Sequence, residues 1–119
     1  MKKRKISVEC EKHDHTGKVS RRPLSPLAFE RAARLFRALG DEARLSLLEL
    51  ISTGELCVTE IADYTGEGTS TISQRLKMLR SEGLVKRRRE GKHLYYSLVD
   101  SHIQNLIFNA LDHSEEKKG

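Results

Sequence analysis

Four side chains near the C-terminal end have types and a spacing that suit metal chemistry: Asp100 and His102, then His113 and Glu116. Carboxylates and imidazoles are the oxygen and nitrogen donors that bind divalent zinc. His102 and His113 are 11 residues apart, which at about 100° per residue is three turns plus roughly 20°, so on a helix both imidazoles fall on one stripe. At about 1.5 Å rise per residue they are nevertheless roughly 16 Å apart, while ligands of one zinc ion lie about 2 Å from it. One helix cannot close such a site.

Two copies packed antiparallel about a two-fold axis can. Asp100 and His102 of one subunit then meet His113 and Glu116 of the other, the latter an i, i+3 pair, and symmetry yields two identical four-ligand sites per dimer. Asp100 joins only from just outside the first turn, where an N-cap aspartate stands, because in helical conformation it would point about 200° away from His102. A plainer account fits the same residues: Asp100 is a cap only, and the histidines and Glu116 are solvated beside the apolar stripe Ile103, Leu106, Ile107, Ala110 and Leu111. Spacing alone leaves both open.

The elements that would position this helix can be read from local signals. Ser25-Pro26 is a helix start, with a hydroxyl cap and a proline whose missing donor costs nothing at the first helical position. Ala32, Leu35, Phe36 and Leu39 recur at helical spacing until Gly40. Asp41 caps a second helix, which turns Leu45, Leu48 and Ile51 to a core and stops at Gly54. These two stripes suit a core or a dimer seam better than a ligand pocket.

A short helix over 58–65 and a second over 69–81, joined by Gly66-Glu67-Gly68, form a helix-turn-helix whose facing apolar sides are Ile61 and Ala62 against Ile72, Leu76 and Leu79. The second helix presents Thr69, Ser70, Thr71, Ser73, Gln74 and Arg75 early and Lys77 and Arg80 later. Hydroxyl, amide and guanidinium groups there can bond phosphates and reach base edges in a major groove. After Gly83, Leu84-Val85 opens a strand into the run Lys86-Arg87-Arg88-Arg89, Glu90-Gly91 supplies the turn, and His93 to Leu98 returns with Leu94, Tyr96 and Leu98 on one side. This is a basic β-hairpin, a wing, in which Arg88, Arg89 and Lys92 can neutralise phosphates without specifying sequence. A solvated polar face and a soluble sheet edge are the simpler readings of these residues. They lose weight because helix, turn and basic hairpin occur together.

The expected fold class is therefore mainly α with a β-hairpin (α+β), a winged helix-turn-helix over 25–116 with a flexible arm over 1–24 and a tail over 117–119. Its 119 residues suit one domain with a modest core that gains from dimerisation. Lys plus Arg is 22 against 17 Asp plus Glu, a formal charge of +5, and its clusters at 2–5 and 86–92 suggest a polyanionic partner. No apolar run is long enough for a membrane span and no signal-peptide core follows the basic start, so a cytoplasmic protein with no membrane partner is expected. Two cysteines in such a chain are reduced thiols or thiolate ligands rather than a disulfide. In the arm, Cys10, His13 and His15 form a C-x-x-H-x-H run of soft and borderline donors, or a chance cluster in a polar tail. Catalysis would need an open coordination position and a general base, and four protein ligands with no nucleophile constellation argue against an enzyme. A zinc-buffering protein would have no use for Arg75 or the wing.

In order, Glu55-Leu56-Cys57-Val58, Ser70-Thr71-Ile72-Ser73-Gln74-Arg75-Leu76, Gly91-Lys92-His93-Leu94-Tyr95-Tyr96 and the Asp-x-His and His-x-x-Glu pairs closely resemble the ArsR/SmtB family of bacterial metal-sensing repressors, over roughly residues 26–116. The resemblance implies a homodimeric winged helix whose apo form binds operator DNA and whose metal-bound form binds it less, releasing genes for metal efflux or sequestration. Its zinc-sensor pattern maps onto Asp100, His102, His113 and Glu116. Two nitrogen and two carboxylate donors suit Zn(II), with Co(II) as substitute. The family also has a second site type, which Cys57 and Glu60 match in part and for which Cys10 with His13 or His15 would supply arm ligands. Thr59 stands where C-x-C members have a further cysteine, which counts against a thiolate-rich site for Cd(II), Pb(II) or Cu(I). A member sensing through Cys10 and Cys57, or a constitutive member sensing nothing, are the alternatives within the family. Gln74-Arg75 also departs from the His-Gln pair common in zinc sensors, which leaves the operator sequence open.

Overall fold

The computed structural model describes residues 22–116; the arm candidates Cys10, His13 and His15 lie outside them. The described residues fall into two units that divide after Glu30. Helix α1 is Pro26–Leu39 and α2 is Glu42–Ser52, followed by β1 at Leu56–Cys57, α3 at Val58–Thr65 and α4 at Thr69–Ser81. Strands β2, Val85–Glu90, and β3, His93–Leu98, precede α5, Ser101–Glu115.

The helix starts are where the side-chain chemistry puts them. Ser25 Oγ accepts from Ala28 N–H at 3.1 Å, Asp41 Oδ2 from Arg44 N–H at 3.0 Å, and Asp100 Oδ1 from Ile103 N–H at 3.0 Å. Each satisfies an amide that a first turn leaves without a partner. Between α3 and α4 the chain reverses at Gly66, whose φ of +76° is a left-handed conformation that costs a residue with a Cβ.

The core of the second unit is one cluster. Leu47, Leu48 and Ile51 of α2, Ile61 of α3, Ile72, Leu76 and Leu79 of α4, Tyr96 and Leu98 of β3 and Ile103 and Ile107 of α5 are buried in it. At roughly 1.5–3 kcal/mol per fully buried aliphatic side chain, this cluster is the main force holding α4 against α3 and the sheet. Among the described residues no polar or charged side chain is buried, so the chain's chemistry is on its surface.

In α1 Ala38 and Leu39 are buried and Leu35 packs against the core, while Ala32 and Phe36 are exposed, Phe36 by 59%; Leu45 of α2 is half-buried against the core and Ala110 of α5 is exposed. The α1 stripe, which suits a core or a dimer seam, thus reaches the core at Leu35 and Leu39 and is left exposed at Ala32 and Phe36 by the described residues. The wing is not a bare hairpin: β1 adds a third strand in the order β1-β3-β2, with Leu56 opposite Tyr96 and Cys57 opposite Tyr95. Glu90 pairs with His93, so the turn residues are Gly91 and Lys92 rather than Glu90-Gly91. Gly91 has φ +65° and Lys92 has no positive φ, as in a type II′ turn, which takes Gly first.

Candidate nucleic-acid and metal-binding sites

The polar side of α4 faces outward. Thr69, Ser70, Thr71, Ser73, Gln74, Lys77 and Arg80 are exposed, while Ile72, Leu76 and Leu79 anchor the opposite side. The helix-turn-helix therefore offers one continuous row of hydroxyl, amide and cationic groups on a rigidly packed helix, the arrangement that groove reading needs. Arg75 is the exception in this row. It is half-buried, and its Nη1 donates to Glu67 Oε1 in the turn before the helix.

In the wing, the antiparallel register puts Arg88 beside Tyr95 on one face and Arg87 and Arg89 beside Tyr96 and Leu94 on the other. Arg88, though its side chain is 51% exposed, is held by three groups. Its Nη2 donates to Glu55 Oε1 at 2.7 Å and its Nε to Glu55 Oε2 at 3.1 Å, its Nη1 donates to Glu90 Oε1 at 2.8 Å, and its Cζ is 5.2 Å from the Tyr95 ring centroid. Hydrogen bonding from Arg88 holds the Glu55 carboxyl below the usual carboxylate range, and the bonds to Glu55 and Glu90 raise the guanidinium further above its own. Lys86, Arg87, Arg89 and Lys92 are exposed. Arg88 thus anchors the wing to the segment before β1, and Arg89 and Lys92 are the cations of the expected set that lie open at the tip.

Sequence reasoning missed Glu55 and Glu67. Both are exposed acidic residues in short connections, and Arg88 and Glu55 are 33 residues apart, so no local pattern joins them. The signal available for Glu67 was its place between two glycines at the entry to a cationic helix.

At the other end of the chain, Asp100 and His102 are brought together. Asp100 stands at the N-cap of α5 with extended backbone, its Oδ1 capping Ile103 and its Oδ2 3.8 Å from His102 Nδ1. His102 is 92% exposed. His113 is exposed in the last turn, but Glu116 has left the helix: α5 ends at Glu115, and Glu116 is the C-cap, with φ −62° and ψ 138° and its N–H donating to His113 O at 3.3 Å. The expected i, i+3 relation of His113 and Glu116 is therefore that of a last-turn residue and its cap rather than of two helical turns.

Among the described residues no three His, Cys, Asp or Glu side chains come together as a metal site within one chain. The donor set fits zinc only as two half-sites, one at each end of α5. Of the second candidate set, Cys57 is a half-buried free thiol at the N-cap of α3, and Glu60 Oε1 accepts Cys57 N–H at 2.9 Å. Glu60 thus serves as the reciprocal cap of that helix. No described helix is long and apolar enough to cross a membrane.

The model of the arsR family of bacterial regulatory proteins matches residues 41–87. The chain is 41% identical over 87 residues to the transcriptional repressor SmtB homolog of Synechocystis sp., across 73% of this chain and 66% of that one, just under two thirds of its length. It is 40% identical over 85 residues to the cadmium resistance transcriptional regulatory protein CadC homolog of Staphylococcus aureus, covering 71% and 70%. The solution structure of a homodimeric winged helix-turn-helix DNA-binding domain from Mycobacterium bovis superposes with a TM-score of 0.74 at 31% identity, covering 85% of this chain and 94% of that one.

Proposed function

The chain belongs to the ArsR/SmtB family of transcriptional regulators, and on that premise we propose that it is a homodimeric repressor whose hold on operator DNA is weakened by Zn(II). It has a winged helix-turn-helix fold and is a DNA-binding regulator, not an enzyme. The observation that carries the zinc reading is the placement of exposed donors at both ends of one helix: Asp100 with His102 at the start of α5, His113 with Glu116 at its end.

Two α5 helices lying antiparallel join these half-sites into two sites, each built from both subunits. When bound, zinc supplies a preference for four tetrahedral donors that neither chain meets alone. Asp100 can keep its cap on Ile103 with Oδ1 while Oδ2 faces the metal side. Metal lowers operator affinity only if it binds one dimer arrangement more tightly than the other, and operator DNA must then weaken metal binding by the same factor. A route toward α4 is supported by Gln104 Nε2 donating to Ser52 O at 3.3 Å, which ties α5 to α2, and by the core that α2, α4 and α5 share.

A second reading, a sensor of thiophilic ions through Cys10 and Cys57, is favoured by the half-buried free thiol of Cys57 and by the cadmium-resistance relative. One experiment separates the two. A fluorescent duplex selected by the protein from a random pool is titrated with Zn(II), Co(II) and Cd(II), using wild type, His113→Ala and Cys57→Ser. Zinc-driven release that survives Cys57→Ser and is lost in His113→Ala is the expected result; the reverse pattern favours the thiolate, and no release by any metal ends both.

A further inference from the structure

We propose that Glu67 is an intramolecular competitor of DNA for Arg75, so that this one carboxylate sets how tightly the recognition helix holds its operator. The inference rests on α4 being the helix that meets DNA. Arg75 sits half-buried at the edge of the exposed row of α4, and its guanidinium is turned back to Glu67 Oε1 in the preceding turn, with side-chain exposures of 28% for Arg75 and 41% for Glu67.

The turn is built to present Glu67. Gly66 is left-handed, Gly68 is the N-cap of α4 and contributes no side chain, and Glu67 N–H donates to Thr65 Oγ1 at 3.2 Å. Thr65 is fixed in turn through Oγ1 donating to Ile61 O at 2.9 Å. The first turn of α4 holds no acidic residue, so Glu67 is the carboxylate standing at its positive end. That end is where a DNA phosphate would dock.

Charge decides what DNA must do here. A guanine edge or a phosphate that takes Arg75 end-on through both Nη atoms must displace Glu67 from Nη1, and Glu67 left without its partner then faces a polyanion. A partly exposed ion pair made through a single N–H···O contact is weak enough to exchange, whereas Glu55 holds Arg88 with both carboxylate oxygens. Arg75 is therefore held ready but not free, and the cost of releasing it lowers the affinity for every duplex while leaving good Arg75 contacts able to recover it. Glu67 acts through Arg75 and is a positioning residue.

The test uses the full chain without metal and a duplex selected from a random-sequence pool by the wild type, read by fluorescence anisotropy across a salt series. Glu67→Gln is expected to tighten binding roughly two- to fivefold, the scale of one partly exposed ion pair. Arg75→Ala is expected to weaken binding, and adding Glu67→Gln to Arg75→Ala should then give little or no gain. An equal gain from Glu67→Gln with and without Arg75 would mean simple repulsion of DNA by the carboxylate and would overturn the proposal. Weaker binding by Glu67→Gln would also overturn it, because Glu67 would then hold Arg75 in the productive position. If Arg75→Ala and Thr71→Ala both leave affinity unchanged, the placing of DNA on α4 fails, and the inference fails with it.

Discussion

The Asp100 carboxylate divides its two oxygens between two tasks: Oδ1 closes the first turn of α5 at Ile103 N–H, and Oδ2 points toward His102 Nδ1 at 3.8 Å. One residue thus combines a fold-stabilising bond with half of a candidate ligand pair. Substitution can separate them. Asp100→Ala should cost about 1 kcal/mol from the lost cap, whereas Asp100→Asn, an equally good cap, should cost little. Both should abolish zinc-driven release of DNA. Thermal unfolding at fixed protein concentration, paired with a zinc titration of the DNA complex, checks this; a fully zinc-responsive Asp100→Asn would show that Asp100 is a cap alone.

Phe36 is 59% exposed and Phe108 36% exposed, apolar surfaces that the described residues leave in water. On the homodimer reading a second copy covers them. Phe36→Asp should shift the protein toward monomer in sedimentation velocity at micromolar concentration, and it should weaken DNA binding because two recognition helices no longer act together. A variant that stays dimeric places the seam elsewhere.

Arg88 and Arg89 are adjacent in sequence but differ in what they touch. Arg89 is exposed and should neutralise a phosphate, so Arg89→Ala should reduce the slope of log affinity against log salt by about 0.9. Arg88 is occupied by Glu55, Glu90 and the Tyr95 ring. Arg88→Ala should leave that slope nearly unchanged and instead speed amide exchange in β2 and β3. Equal salt slopes for the two variants would refute the division.

The anchor should also respond to acid. Arg88 hydrogen bonding, with smaller help from the Arg88 and Lys86 charges, lowers the folded pKa of Glu55 below its unfolded value. A depressed carboxyl pKa contributes stability that is complete above the unfolded value and is lost as pH falls through the folded one. The wing should therefore loosen on acidification and not on raising pH. An NMR titration following the Arg88 Nε–H resonance should show it moving only in the acid range, and Glu55→Gln should sharply reduce that movement.

The sequence by itself determined the features that depend on a few neighbouring residues. Asp41 and Asp100 cap helices because a short carboxylate three residues before an amide can reach it, and Gly66 and Gly91 reverse the chain because other residues resist positive φ. Helical spacing was enough to place Ile72, Leu76 and Leu79 in the core, and the helix-turn-helix with its wing followed in order. The two-residue strand β1 was not readable, since its pairing with Tyr95 and Tyr96 comes from residues some forty positions away. Tertiary structure alone decided which charges are free. Arg75 and Arg88 look like their exposed neighbours in the sequence, yet Glu67 and Glu55 hold them, because ion pairs form through space between side chains whose separation along the chain carries no pattern. The same holds at the end of α5, where backbone conformation moved Glu116 off the helix, and on α1, where an apolar stripe that sequence assigns to core or seam is uncovered at Phe36 because none of the described residues packs over it.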